Sequence, residues 1–133
     1  MQTKSFLQAA DVNRILAAAT IEAQANNWAV AIAVVDAGGI LMGLTRLDGV
    51  APISAFICQE KAKTAALGCR ESKIYEDVIN GGRMSFLSAP QLQGMLEGGV
   101  NIVVDGHTVG AVGVSGVKST EDAQIAKAGI AAL

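Results

Sequence analysis

Trp28-Ala-Val-Ala-Ile-Ala-Val-Val35-Asp36-Ala-Gly-Gly39-Ile-Leu-Met-Gly-Leu-Thr-Arg46-Leu47 is the stretch that decides how this chain is built. From Trp28 to Val35 the residues are almost all apolar and rich in branched Val and Ile, the composition of a buried strand. Asp36-Ala37-Gly38-Gly39 supplies turn chemistry and Ile40 to Leu47 resumes the strand pattern. The stretch reads as a β-hairpin.

On the N-terminal side, Leu7 to Ala25 carries Ala10, Ile15, Ala18, Ala19 and Ile21 at helical spacing with no Gly or Pro, and Asn26-Asn27 ends it. On the other side, Asp48-Gly49 breaks the second strand, Pro52 suits a first helical turn, and Ser54 to Leu67 is a second helix stopped by Gly68. Residues 70 to 97 are the least regular. Tyr75 to Ile79 reads as a short helix, Asn80-Gly81-Gly82 as a break, and Gln91 to Leu96 as a helical turn after Pro90. A long irregular connection of this kind suits a lid or binding rim. Val100 to Val104, the turn pair Asp105-Gly106 and Thr108 to Val114 form a second hairpin, and Asp122 to Leu133 a closing helix. Two hairpins without strand-helix-strand alternation predict an α+β fold: an antiparallel sheet flanked by helices, not a doubly wound parallel sheet.

A chain of 133 residues, 51% of them apolar, suffices for one domain spanning 1–133 with its own core. The net charge is -2 and the ten Lys and Arg residues are scattered, which leaves no footprint for nucleic acid or an anionic membrane surface. The longest apolar run, Trp28 to Val35, is far short of the roughly 20 residues that span a bilayer. Asp11, Asn13 and Arg14 spoil any secretory leader, so a cytoplasmic protein is expected. Cys58 and Cys69 fit neither a metal knuckle nor a disulfide scaffold and are read as reduced core residues.

The candidate site residues each carry two readings. Arg46 and Asp48 end the second strand: Arg46 suits bidentate grip on a carboxylate, and a local Arg46–Asp48 surface pair is the alternative. Lys61 follows Ile53 and Ile57 at helical spacing. Its ammonium either borders a pocket and attracts a carboxylate, or it is a snorkelling side chain or an ion-pair partner of Glu60 or Glu71. Arg83 and Phe86, after Gly81-Gly82, either close over a flat ligand or anchor a loop. Gly110-Ala-Val-Gly113-Val-Ser-Gly116 lacks the Lys-Ser/Thr ending of a phosphate loop and is read as close backbone packing. His107 is the only histidine. It excludes a His cluster or a complete Ser-His-Asp triad within one chain, and its place beside a tight turn predicts exposure. No paired-carboxylate signature stands out, and no metal site or catalytic residue is assigned.

Ala33-Val-Val-Asp36-Ala-Gly-Gly39, Arg46-Leu-Asp-Gly49, Lys61-Ala-Lys-Thr-Ala65, Gly98-Gly99, Val104-Asp-Gly106 and Gly110-Ala-Val-Gly-Val-Ser-Gly116 stand in order over residues 10 to 131. Together they resemble the GlcG/HbpS family, also found as the C-terminal domain of PduO proteins. Gln59-Glu-Lys-Ala-Lys-Thr-Ala-Ala-Leu-Gly68 with Glu97-Gly-Gly99 is most similar to the GlcG branch encoded with glycolate utilisation. The resemblance implies a profilin-like fold, homo-oligomers and, in several relatives, haem binding or a corrinoid-related role. Carried over by position, it implies Arg46, Asp48, Lys61 and Thr64 at a pocket. No family haem ligand maps onto a histidine here.

The expected function is an accessory binder of haem, a tetrapyrrole or a small carboxylic acid, tied to glycolate or small-acid utilisation. The alternatives are an enzyme acting on a small hydroxy or keto acid through Lys61 and Arg46, and a structural or regulatory oligomer.

Overall fold

The hairpin of residues 28–47 forms as β1 (Ala31–Asp36) and β2 (Leu41–Arg46), antiparallel, with Ala31 opposite Arg46. The computed structural model describes the whole chain, Met1–Leu133. Around the hairpin stand α1 (Ala9–Ala25), α2 (Ile53–Gly68), α3 (Ser72–Asn80), a 3-10 turn (Met84–Ser88), β3 (Gly99–Val104), β4 (His107–Ser115) and α4 (Ser119–Ile130). The four strands run β2-β1-β4-β3, every pair antiparallel, so the α+β expectation holds. Asp105 and Gly106 both take positive φ, 51° and 79°, as the tight β3–β4 turn requires.

The two faces of the sheet differ in side-chain size, and that difference sets the layers. Ile32 and Val34 of β1, Val112 and Val114 of β4, and Val100 and Ile102 of β3 pack with Val12, Ile15 and Ala19 of α1 and Ile125 and Ala126 of α4. On the opposite face Ala31, Ala33 and Ala111 meet Cys58, Ala62, Ala65 and Ala66 of α2. Alternation of large and small residues along each strand therefore directs bulky groups to one side and lets α2 lie close on the other. At Gly113 a Cβ would strike the Cys58 carbonyl oxygen and come within 2.6 Å of the Ala62 nitrogen. The glycine-rich strand is used for close packing, as its sequence predicts.

Several expectations need correction. Gln91 to Leu96 is not helical, and the 3-10 turn lies earlier, at Met84–Ser88. α3 starts at Ser72, where a buried hydroxyl donates to the Leu96 carbonyl at 2.5 Å and accepts the Gly99 N–H at 2.8 Å. α2 runs through Gly68, expected as its stop, and the left-handed cap is the next residue, Cys69, at φ 55°. Cys69 is thereby exposed, and only Cys58 is a core thiol. No helix is long and apolar enough to cross a membrane.

Candidate functional site

Arg46 and Asp48 border a cavity of about 490 Å³ completed by Gln24, Asn27, Trp28, Ala29 and Leu47. It forms where two chain segments leave the sheet at one end. α1 stops as Asn27 turns left-handed at φ 56°, and Trp28 N–H donates back to the Ala23 carbonyl at 2.9 Å. From the other side β2 runs out beyond Arg46, and Leu47 N–H donates to the Val30 carbonyl at 2.9 Å, which ties the β2 exit to the start of β1. The half-buried Trp28 rests on the larger core and offers its ring to the cavity, flanked by two amides, a guanidinium and a carboxylate.

The Arg46–Asp48 surface pair does not form: four ion pairs exist in the chain, and neither residue belongs to one. Both charges thus face solvent and the cavity with their bonding capacity unspent. A guanidinium beside a carboxylate and an indole suits a small hydroxy acid, its acid group on Arg46 and its hydroxyl donating to Asp48. The sequence flagged Arg46 and Asp48 but passed over Trp28, Asn27 and Gln24. Asn26-Asn27 was used up as a helix stop and Trp28 as a strand start, although a lone Trp at a helix-to-strand corner is itself a signal.

Lys61 lies elsewhere. Its side chain is 5% exposed, and Nζ donates to the Val114 carbonyl at 3.0 Å and to Asp122 Oδ2 at 3.1 Å. Gly98, at φ 133°, closes over it: a Cβ there would sit 2.7 Å from Nζ and from the Val114 oxygen. The ammonium is a buried strut between α2 on one face and α4 on the other. Its partner is Asp122, not Glu60 or Glu71; Glu71 instead pairs with Lys127 at 3.0 Å. Asp122 also accepts the Val117 N–H at 3.2 Å. Burial lifts the Asp122 carboxyl above the usual range, opposed by the Lys61 charge and by these hydrogen bonds. The expected stripe is reversed, since Ile53 is exposed while Lys61 points inward.

Thr64 is fully buried, its hydroxyl accepting the Gly94 N–H at 3.2 Å. Arg83 and Phe86 stack on each other, the guanidinium 5.3 Å from the ring centre, and Phe86 stacks in turn on Tyr75 at 5.3 Å. Arg70 also lies over the Tyr75 ring, 5.6 Å from its centre. This ladder pins the 3-10 turn to α3. Of the six candidate residues, Arg46 and Asp48 are brought together, whereas Lys61, Thr64, Arg83 and Phe86 line none of the four cavities.

The other cavities gather around the N-terminal segment. Half-buried His107 borders a broad one of about 600 Å³ with Gln2, Thr3, Lys4 and Phe6. No cluster of three or more His, Cys, Asp or Glu side chains is placed to hold a metal ion.

The family described as "Haem degrading protein HbpS-like" matches residues 7–131. The chain belongs to the HbpS-like family. Among HbpS-like relatives, Protein GlcG of Escherichia coli strain K12 is 56% identical over 115 residues, 86% of this chain and 85% of the relative. The fold is shared with Klebsiella pneumoniae protein ORFY, at a TM-score of 0.91 and 25% identity over 99% of this chain and 93% of that one. It is also shared with a PduOC:heme complex, at a TM-score of 0.87 and 28% identity over 97% and 96%. A double mutant of Streptomyces reticuli HbpS matches with a TM-score of 0.88 and 26% identity over 100% and 90%.

Proposed function

We propose that this HbpS-like protein is an accessory binder of a small organic acid in the cytoplasm, working as a homo-oligomer, with Arg46 as the carboxylate anchor. The cavity at the end of the sheet carries the reading: an unpaired guanidinium, an unpaired carboxylate and an indole share about 490 Å³. Arg46 is exposed, so an ion pair to it is worth about 0.2–1 kcal/mol in open solvent and about 1.5–3 kcal/mol where the bound ligand excludes water. The resemblance to the GlcG branch makes glycolate, glyoxylate and longer hydroxy acids the first ligands to test. The enzyme alternative lacks geometry in the single chain, because Lys61, its proposed base, has no cavity beside it and is held by Asp122 and Val114.

Haem is the second reading, favoured by the PduOC:heme relative. The residues of one chain do not fit it. The Arg46 cavity offers no nitrogen or sulfur donor for iron, and His107 stands over an open cavity whose one apolar wall is Phe6. A tetrapyrrole would have to find its walls between copies of the chain.

Native mass spectrometry of protein purified from its own host tests the proposal, reporting retained ligand and subunit number together. A retained small acid on an oligomer is expected. A haem mass, or a 13.6 kDa monomer with nothing retained, overturns it.

A further inference from the structure

The outer face of α2 is largely uncovered, with the segment around Gln91–Gly94 touching its Glu60 and Lys63 edge. Ile53 is 59% exposed, Phe56 68% and Leu67 40%. With Glu60 and Lys63 they recur at alternating steps of three and four residues, the spacing of a helix-pairing seam two heptads long. The β1–β2 turn widens this face: Gly39 packs beside the Lys63 and Leu67 side chains, and Ile40 next to it is 66% exposed. The two charges in the seam are unspent within the chain. Neither Glu60 nor Lys63 joins any of the four ion pairs. Glu60 Oε2 is covered by the chain itself, which leaves Oε1 as the oxygen a partner could meet, and Lys63 Nζ donates to Gln91 Oε1 at 2.9 Å.

We propose that α2 packs antiparallel against α2 of a second copy across a two-fold axis, with Phe56 against the partner's Leu67 and Glu60 against the partner's Lys63. This rests on the homo-oligomer reading above and names its interface. Charge selects the register. A parallel pair would set Glu60 on the partner's Glu60 and Lys63 on the partner's Lys63, two like-charge contacts in an apolar seam. An antiparallel pair shifted by one heptad would press Phe56 on the partner's Glu60 and Ile53 on the partner's Lys63, leaving each charge against hydrocarbon. The proposed register sets Phe56 on the partner's Leu67 and Glu60 on the partner's Lys63, leaves Ile53 at the end of the seam, and by two-fold symmetry makes each match twice.

Reciprocal charge exchange is the test, with wild type, Glu60→Lys, Lys63→Glu and the double exchange compared by sedimentation equilibrium and circular dichroism confirming the fold. Each single exchange should weaken dimerisation at least about tenfold, and the double exchange should return it to within about threefold of wild type. In a Cys69→Ser background, mixing Phe56→Cys with Leu67→Cys should give disulfide-linked heterodimers. A wild-type oligomer indifferent to both single exchanges, or a double exchange weaker than either single one, overturns the pairing and leaves the oligomer reading intact. A wild-type monomer at tens of micromolar overturns both.

Discussion

Lys61→Met removes the ammonium of the buried strut while keeping most of its hydrocarbon stem. The change strands Asp122, whose side chain is 2% exposed, and the Val114 carbonyl, which loses its Nζ donor at 3.0 Å. Breaking a buried pair from one side costs about 3–5 kcal/mol, because the remaining charge stays desolvated and unpaired. That is a large part of the 5–15 kcal/mol typical of a whole domain. The cost should also depend on pH. Burial already raises the folded Asp122 pKa above its unfolded value. The folded state therefore holds the proton more tightly, and this group's contribution to stability is full below the unfolded pKa and declines as pH rises through the folded one. Removing Lys61 takes away the attraction that opposes this rise and lifts the carboxyl further. The penalty should be largest near neutral pH and shrink as pH falls and Asp122 takes up its proton. Urea unfolding at equal protein concentration, at about pH 7.5 and pH 5, measures both quantities. Adding Asp122→Asn to Lys61→Met should recover part of the loss at the higher pH. A penalty below about 1 kcal/mol, or one equal at both pH values, refutes the reasoning.

Further outcomes follow from other parts of the molecule. Gly113→Ala drives a methyl into the α2 backbone and should cost about 3 kcal/mol or more, read from the urea midpoint. Burial pushes the Cys58 thiol up to about 12, while Cys69 is exposed, so a thiol reagent at neutral pH should label one equivalent quickly and the second only on unfolding. Haemin titrated against wild type and His107→Ala should give the same Soret change, and a change lost in the variant would make His107 an iron ligand.

Much of the fold was legible because the pattern that encodes it is local. The alternation of Ala with Val and Ile in β1 gives the strand, its two faces and the room for α2, and Asp105-Gly106 gives the second hairpin outright. Residues 70 to 97 were harder to read, since their order comes from contacts distant in sequence. Ser72 is fixed by Leu96 and Gly99, and Phe86 by Tyr75. The site was legible by halves. Arg46 and Asp48 announce themselves at a strand end, but Gln24, Asn27 and Trp28 join them only because the α1 exit and the β2 exit share one end of the sheet. Helical spacing placed Lys61 on the Ile53 stripe. The outcome was reversed by Asp122, a residue 61 positions away that no local pattern pairs with it.

The central claim is that Arg46 anchors a small acid at the end of the sheet, and titration calorimetry with glycolate, glyoxylate and longer hydroxy acids tests it most directly. Arg46 is exposed, so Arg46→Gln should leave stability within about 0.5 kcal/mol of wild type. One of the acids should bind the wild type at millimolar concentration or below, and Arg46→Gln should weaken it by about 10- to 150-fold, the equivalent of one charge-assisted contact. Equal binding by the variant, or no binding of any acid to the wild type, contradicts the account.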